Sequence, residues 1–175
     1  MSSGRVWLNR FLGKGHDLRK QTLITVLKSP DELFLILRIT GFLGALPMLI
    51  RFKSIQEVVR TITPEKRGVT RSPLTLERVI YLCERLLRIF QKYRYKYSCL
   101  KRSLLLYHFL RYYQIPVEIN FGVMWADGGL TGHSWLTLNN DLYLEPKAKV
   151  DQFTHIFSLP GENIGFPDHK DVSFD

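Results

Sequence analysis

Residues 97–113 read YSCLKRSLLLYHFLRYY and predict one helix that carries a cysteine in its first turn. Ser98 is a favourable N-cap residue, because its hydroxyl can accept a hydrogen bond from a free backbone N–H, and Cys99 then opens the helix. Apolar residues on nearly all sides predict that this helix lies in the middle of a domain. Residues 114–116, Gln-Ile-Pro, end the helix, since proline lacks an N–H and disfavours helix in the residue before it.

The position of Cys99 at the start of this helix favours a reactive thiol. The positive end of the helix dipole stabilises a thiolate, which is the nucleophilic form of cysteine. A helical cysteine can also be a small buried hydrophobe, and Cys83 fits that description because apolar residues surround it at helical spacing. Two cysteines in such different settings do not form a disulfide framework, and they indicate a reducing, cytoplasmic location.

Length and composition favour one soluble domain, alone or with a helical extension. The chain has 175 residues, of which 45% are hydrophobic and 23% are charged. Its formal net charge of +9 suits nucleic acid, an anionic membrane surface, or an acidic peptide or protein as a partner. No recognised nucleic-acid-binding motif accompanies the charge, so an acidic peptide partner or simple solubility explains it at least as well. The densest basic cluster alternates with tyrosines and consists of Lys92, Arg94, Lys96, Lys101 and Arg102 among Tyr93, Tyr95 and Tyr97.

The first helix start signal stands at residues 29–32, which supply a cap, a proline at the first helical position and an acid at the third. It predicts a helix over about residues 31–43, which Gly41, Gly44 and Pro47 then break or bend.

The apolar run Leu33–Ile50, which overlaps this helix, is short of a membrane span once its interruptions are counted. A span needs about 20 apolar residues, and Arg38 near the centre would cost about 2.5–3.5 kcal/mol on insertion scales. The run therefore predicts core helices or a docking surface, and it leaves weak peripheral membrane contact open.

Two further helices complete the first half of the chain. A capping box opens a short helix over about residues 54–60, and a Ser-Pro pair opens a longer one over about residues 72–91. A polar linker separates them. We therefore predict a helical N-terminal extension over residues 1–71 and a second domain over residues 72–175.

After Pro116 the hydrophobic period changes from that of a helix to two, which indicates strands. Strands are predicted over residues 117–125, 133–138 and 142–145. A flexible loop with three glycines fills residues 126–132, and residues 139–141, Asn-Asn-Asp, form a turn. The architecture predicted is α+β, with the Cys99 helix packed on a small antiparallel sheet. Further along the chain, the residues expected to pack on that sheet are Phe153, Ile156, Phe157 and Leu159.

A nucleophilic cysteine needs a base, and His133 is the best placed of the five histidines. His108 lies nine residues along the same helix, about 13.5 Å away, and cannot reach Cys99. His133 opens a strand directly after the glycine-rich loop, at the rim where the sheet would face the helix start. No second histidine or cysteine stands at ligand spacing, so no metal is predicted, and no phosphate-binding loop suggests an ATP site. The remaining histidines lie in weakly patterned, surface-like segments and are His16, His155 and His169.

An imidazole base is usually oriented by a third group, and strand register decides among the acids. Asp141 should lie at the far end of the hairpin from His133, whereas Glu145 returns towards it. A two-residue turn would put Glu145 on the wrong face, but a three-residue loop over 139–141 would put it on the His133 face. We therefore predict Glu145 as the third residue, with Asp141 and Asp151 as alternatives. The reading of Glu145 as an exposed strand-end acid stays open.

The stretches SCLKRSLLLYHFLRYYQIPVEINFGV and GHSWLTLNNDLYLE, with an acid twelve residues after the histidine, resemble the transglutaminase-like cysteine peptidases. The closer resemblance is to the peptidase part of the lasso-peptide biosynthesis B proteins, which include microcin-maturing leader proteases. It covers about residues 74–145. It implies a papain/transglutaminase-like fold with Cys99 as nucleophile, His133 as base and Glu145 as orienting acid, although the family usually has aspartate at the third position.

The same resemblance implies an activity and its partners. The protein would be a cysteine peptidase that removes the leader from a ribosomally made precursor peptide, without a cofactor. A separate leader-recognition protein would act with it, and a separate asparagine-synthetase-like enzyme would close the lactam; no nucleic-acid partner is expected. Two alternatives remain: another acyl transfer or amidase reaction on the same fold, and a non-catalytic basic protein that binds nucleic acid or a membrane surface.

Overall fold

A computed structural model describes residues 30–64, 75–94, 98–126 and 128–160. Helices are followed by a four-stranded antiparallel sheet with the strand order β3-β2-β1-β4. The predicted α+β class is confirmed. The elements in chain order are α1 (Pro30–Phe52), α2 (Ile55–Ile62), α3 (Leu76–Arg94), α4 (Ser98–Tyr112), β1 (Val117–Ala126), β2 (Gly129–Leu138), β3 (Asp141–Tyr143), α5 (Lys147–Val150) and β4 (Thr154–Leu159).

Helix α4 is the centre of the fold, as predicted. It packs against β1 and β2 on one side and against α1 and α3 on the other. Each fully buried leucine there contributes about 1.5–3 kcal/mol relative to an exposed one, so the burial fixes the helix firmly. The helix begins at Ser98, one residue earlier than predicted, and Cys99 lies in its first turn. The α4 residues with almost no exposed surface are Leu104, Leu105, Leu106, Tyr107, Phe109 and Leu110.

The predicted end of α1 near residue 43 is wrong, because one helix runs through Pro47 from Pro30 to Phe52. Proline in a helix costs about 3 kcal/mol. Apolar packing on both sides of Pro47 offsets this, since Leu43 and Leu46 are buried before it and Leu49 packs against the core after it. Tertiary packing therefore overrides the local breaking signal.

The face of α1 that points away from the core is apolar and exposed. Among the described residues, α1 is the one helix long and apolar enough to cross a membrane by length and composition. Arg38 lies over the ring of Tyr112 at 3.9 Å, so its charge is held against the protein. Peripheral membrane contact stays a prediction. The exposed apolar side chains of this face are Leu33, Phe34, Leu37, Met48 and Phe52.

The capping box predicted before α2 is confirmed. The N–H of Ser54 donates to Glu57 at 2.9 Å, and the N–H of Glu57 donates back to the Ser54 hydroxyl at 3.3 Å. The predicted start of α3 and the domain boundary at 71/72 lie outside the described residues, so the two-domain division stays a prediction. Helix α3 continues to Arg94, three residues beyond the predicted end.

The sheet is larger than predicted. Residues 129–132, predicted as loop, belong to β2, because the β1 ladder continues to the pair Ala126–Gly129. Strand β4 was not predicted. It pairs with β1, and an irregularity in the pairing next to Phe121 disturbs the alternation of side chains along β4. Phe157 stacks on Phe121 at 4.6 Å as expected, whereas Ile156 is exposed, contrary to the prediction.

The β2–β3 turn also differs from the prediction. Asn139 and Asn140 both have positive φ, which is typical of a two-residue hairpin turn. Leu138 pairs with Asp141, and β3 ends at Tyr143. The predicted three-residue loop and the longer third strand are therefore wrong.

Candidate active site

Cys99 lies at the start of α4, half-buried, with its sulfur hydrogen-bonded by the imidazole of His133 and by the backbone N–H groups of Ser134 and Leu100. The hydrogen bond from His133 is the largest cause that lowers the pKa of this thiol. Burial opposes the shift, and the two N–H groups support it. The sulfur therefore favours the thiolate form.

His133 lies in β2 with its ring between Cys99 and Glu145. Its Nε2 lies 3.2 Å from the Glu145 Oε1. The hydrogen bond with Cys99, followed by that with Glu145, raises the pKa of His133 to about 9, against the effects of burial and of the nearby Lys149. The lowered pKa of Cys99 and the raised pKa of His133 both favour a thiolate–imidazolium pair.

Aromatic residues hold the imidazole ring in place. Phe153 lies 4.9 Å and Trp135 6.1 Å from it, centroid to centroid. Trp135 in turn lies over Gly122, where a Cβ atom would come within 2.8 Å of the indole and of the Thr154 carbonyl oxygen. Only glycine leaves room for this side chain, so Gly122 helps to position His133.

Glu145 reaches His133 through a change of backbone direction after β3, not through the predicted three-residue loop. Continued as a regular ladder, the two-residue turn would bring Glu145 opposite Ser134, on the face away from His133. The ladder instead stops at Tyr143, and Leu144 has a φ of +59°, a left-handed conformation that redirects the chain. The predicted contact between Glu145 and His133 is present, although the reasoning from a three-residue loop was wrong.

The Glu145 carboxylate is buried and surrounded by cations. Arg102 Nη1 donates to Oε2 at 2.6 Å, and Lys149 Nζ donates to Oε1 at 2.6 Å. Burial alone would raise the pKa of Glu145, but the hydrogen bonds from His133 and Lys149 and the charge on Arg102 lower it to about 2. The acid is thus ionised whenever the protein is folded near neutral pH.

Arg102 is a further residue of the site, which the sequence did not predict. It lies one turn after Cys99 on α4 and also donates to the Leu144 carbonyl at 2.9 Å and to Glu84 at 2.7 Å. It therefore ties the helix that bears Cys99 to the segment that bears Glu145. Its spacing of three from Cys99 was visible in the sequence, but Arg102 was assigned to the basic cluster, whose other members apart from Lys101 have side chains outside the described residues.

The alternative acids lie elsewhere. Asp141 is exposed at the start of β3, and Asp151 accepts a hydrogen bond from Lys147 at 2.6 Å on the surface. Neither position offers the buried hydrogen bond to His133 that Glu145 makes. Within the described residues, no group of three His, Cys, Asp or Glu side chains could hold a metal ion.

The other predicted candidates are also accounted for. Cys83 is fully buried in α3, and burial raises the pKa of its thiol. His108 stacks on Phe42, and its Nδ1 lies 2.6 Å from the Ile62 carbonyl oxygen. His155 lies on the surface with its Nε2 2.9 Å from the Ser158 hydroxyl. The last two histidines, His16 and His169, lie outside the described residues.

The two thiols should differ sharply in reactivity. Iodoacetamide should alkylate Cys99 well below pH 8, because its lowered pKa maintains thiolate there, whereas Cys83 should react only after unfolding. Peptide mass mapping of protein alkylated at a series of pH values measures both rates. Equal rates in the folded protein would contradict a prepared nucleophile.

Replacing Lys149 by methionine should shift the basic limb of the pH–rate profile upwards. The charge of Lys149 lowers the pKa of His133, and its hydrogen bond uses the same Glu145 oxygen that faces the imidazole. Removing it should raise the pKa of His133 above about 9, so the imidazolium should persist to higher pH. An NMR titration of His133 measures this directly.

Lys147→Met is the matched control, because Lys147 pairs with Asp151 on the surface instead. A shift of equal size in both variants would mean that general charge, rather than the contact with Glu145, moves the pKa of His133.

The site joins a cysteine at a helix start, an imidazole and a buried carboxylate, an arrangement that suits nucleophilic chemistry at a carbonyl group. A family model described as transglutaminase-like superfamily matches residues 42–158. The chain therefore belongs to the transglutaminase-like superfamily, whose members commonly use a catalytic cysteine in hydrolase or transferase reactions. This confirms the predicted fold. Neither the curated proteins nor the solved structures contain a match.

Proposed function

We propose that this protein is a cysteine peptidase that removes the leader from a ribosomally made precursor peptide in lasso-peptide biosynthesis. The observation that carries the proposal is the continuous hydrogen-bonded chain from Cys99 through His133 to Glu145. The resemblance of the sequence around Cys99 and His133 to the lasso-peptide B proteins supports the choice of substrate.

The geometry supports acyl-enzyme chemistry. The Cys99 thiolate attacks the carbonyl carbon of the scissile peptide bond, and the His133 imidazolium gives its proton to the leaving amine. Water then attacks the thioester while His133 takes the water's proton, which releases the leader as a carboxylate. The backbone N–H of Cys99 lies at a helix start, where it has no intrahelical acceptor, and it is the candidate donor to the oxyanion.

The proposal assigns leader recognition and ring closure to other proteins. All four strands in the described part of the chain belong to the sheet that carries the site, so we assign leader binding to a separate protein. A separate asparagine-synthetase-like enzyme would consume the freed amine and form the macrolactam. The cytoplasm is the proposed location, because the site depends on a free thiolate.

Reconstituted cleavage tests the proposal. Short precursors and small leader-binding proteins encoded beside the gene are incubated with the protein in heavy-oxygen water and examined by mass spectrometry. We expect one cleavage at the leader–core junction, with heavy oxygen in the new leader carboxylate, and a much slower reaction without the leader-binding protein.

The alternatives give different products. Transfer of the acyl group to an amine, with no heavy oxygen gained, would favour an acyltransferase of the same superfamily. If no precursor is cleaved although Cys99 is alkylated at low pH, the site is prepared for chemistry but the leader-peptidase assignment is wrong.

A further inference from the structure

Strand β2 extends well past its partner β3 and leaves a stretch of edge uncovered next to Cys99. Strand β3 pairs with residues 136–138 only, whereas β2 begins at Gly129. Among the described residues, no strand pairs with Gly129–Gly132 on the side away from β1. Leu130 and Gly132 are exposed, and a Cβ atom built on Gly129 would meet nothing within 4 Å. We call residues Gly129–Gly132 the free edge.

The direction of the backbone groups along the free edge follows from Ser134. Its carbonyl accepts a hydrogen bond from Ser103 Oγ at 3.0 Å, and its N–H donates to Cys99, so both groups point away from β1. In a regular antiparallel ladder this direction alternates, and β1–β2 pairing is unbroken to Gly129. The N–H and C=O groups of Gly132 and Leu130 therefore also point outwards.

Cys99 occupies a position in line with this edge. Its sulfur accepts the Ser134 N–H, as an acceptor on a neighbouring strand would. The next outward-pointing groups, on Gly132, lie about 7 Å further along β2. An extended peptide paired with Gly132 would thus bring its next carbonyl group to the sulfur.

The free edge also carries an apolar surface. Leu130 pairs across strands with Trp125, and their side chains are 67% and 75% exposed. Leu130 is four residues from Ser134 on the same strand, so their side chains lie on the same face of the sheet. The Ser134 hydroxyl contacts α4. Leu130 and its cross-strand partner Trp125 therefore lie on the α4 face, beyond the start of the helix. An apolar side chain of a peptide paired with the edge would contact it.

The position of His133 decides which half of the peptide lies on the edge. The leaving amine must take its proton from His133, whose ring contacts Glu145, two residues after the end of β3. The acyl half of the substrate must therefore extend from the sulfur in the opposite direction, along the free edge.

We propose that the free edge binds the acyl half of the substrate as an added β-strand, with an apolar substrate side chain against Leu130 and Trp125. Strand addition of this kind takes its affinity from main-chain hydrogen bonds and its selectivity from alternate side chains. This inference rests on the proposed function, since it assumes that Cys99 attacks a peptide.

Peptide electrophiles test it without the natural precursor. The probe is acetyl-Leu-Ala-Leu-Gly chloromethyl ketone, together with versions that carry a single N-methyl group on each amide in turn. We measure the second-order rate of Cys99 alkylation by mass spectrometry and divide it by the rate with iodoacetamide. N-methylation at every second residue should lower this ratio about tenfold, because each lost hydrogen bond contributes about 1.4 kcal/mol, while the alternate positions should change it little.

Two substitutions at one position separate the backbone from the side chain. Leu130→Pro removes an outward-pointing N–H, which an edge strand tolerates, whereas Leu130→Ala retains the N–H and removes only the apolar contact. The alkylation ratio should fall in both variants and further in Leu130→Pro. Thermal unfolding confirms that both are folded.

The two failures are distinguishable. No alkylation of Cys99 by iodoacetamide at low pH would reject the proposed function itself. Normal alkylation by iodoacetamide, with peptide rates that do not alternate along the N-methyl series and do not respond at Leu130, would overturn the strand-addition proposal alone.

Discussion

Precursor cleavage should be lost when Cys99 is replaced by alanine, with kcat/KM falling about ten-thousandfold or more. The sulfur is the nucleophile of the proposed mechanism, and alanine has no side-chain atom that could form the acyl-enzyme. The fold should persist, because Cys99 is only half-buried and the packing of α4 rests on residues further along it. Cleavage is followed by mass spectrometry and folding by thermal unfolding.

An independent measurement on the same variant does not need the precursor. Because the hydrogen bond with Cys99 is the largest cause that raises the pKa of His133 to about 9, the Cys99→Ala variant should show a lower pKa in an NMR titration of that ring. An unchanged pKa would mean that the two side chains do not interact in solution. Undiminished cleavage would reject an enzymatic role for Cys99.

Cys83→Ala is the matched control, since it makes the same chemical change at the other thiol. Cys83 is fully buried, so the substitution should destabilise the fold by about 1 kcal/mol through lost packing and leave cleavage unchanged. The pair of variants separates loss of a nucleophile from loss of stability.

The parts of the structure that depend on local signals could be predicted from the sequence. The capping box of α2 and the apolar surface of α4 are encoded within a few neighbouring residues, and both elements occur as expected. Cys99 and His133 were predicted from the same kind of information, since Cys99 opens a patterned helix and His133 precedes the alternating residues of β2, although β2 itself begins at Gly129. Their hydrogen bond was the step that needed the folded chain.

The position of Glu145 depends on features that the residues do not specify locally. Asn139, Asn140 and Asp141 all tolerate turns, so the choice between a two-residue and a three-residue loop was open. The left-handed conformation of Leu144 is uncommon for a non-glycine residue, and a leucine side chain does not predict it. Here the carbonyl of Leu144 accepts a hydrogen bond from Arg102, a contact between residues 42 positions apart.

The long-range contacts account for the other differences as well. The continuity of α1 through Pro47 depends on the core that it packs against, and β4 depends on the edge of β1 to which it pairs. The disturbed alternation of β4 hid it, because a two-residue period is the main sequence signal of a strand. The role of Arg102 in the site could not be predicted for a similar reason. Its two carboxylate partners come from distant segments, so the sequence showed it only as a member of the basic cluster.

Replacing Glu145 by glutamine should lower kcat for precursor cleavage by up to about ten-thousandfold, the loss known when the orienting acid of a triad is replaced by its amide. The amide retains the size of the side chain but removes the charge. Because the hydrogen bond with Glu145 is the second cause that raises the pKa of His133, that pKa should fall. The basic limb of the pH–rate profile should then move downwards, opposite to the shift expected for Lys149→Met.

Stability must be measured alongside, because Glu145 is buried and pairs with two cations. Arg102 and Lys149 are partly exposed and can turn to water, so the destabilisation should be smaller than the 3–5 kcal/mol typical of a broken, fully buried ion pair. Rates compared well below the unfolding temperature then report chemistry. Glu145→Asp, which restores the residue usual at this position in the resembling family, should retain part of the activity because it preserves the charge.

Asp141→Asn and Asp151→Asn make the same change, acid to amide, at the two acids that the sequence left as alternatives. Both carboxylates are exposed, and Asp151 is paired with Lys147, so neither variant should lower kcat by more than about twofold. A large loss in Asp151→Asn together with normal turnover in Glu145→Gln would assign the orienting role to Asp151. Normal turnover in all three variants would show that the imidazole needs no acid to act, and the buried carboxylate would then serve only to join α4 to the segment after β3.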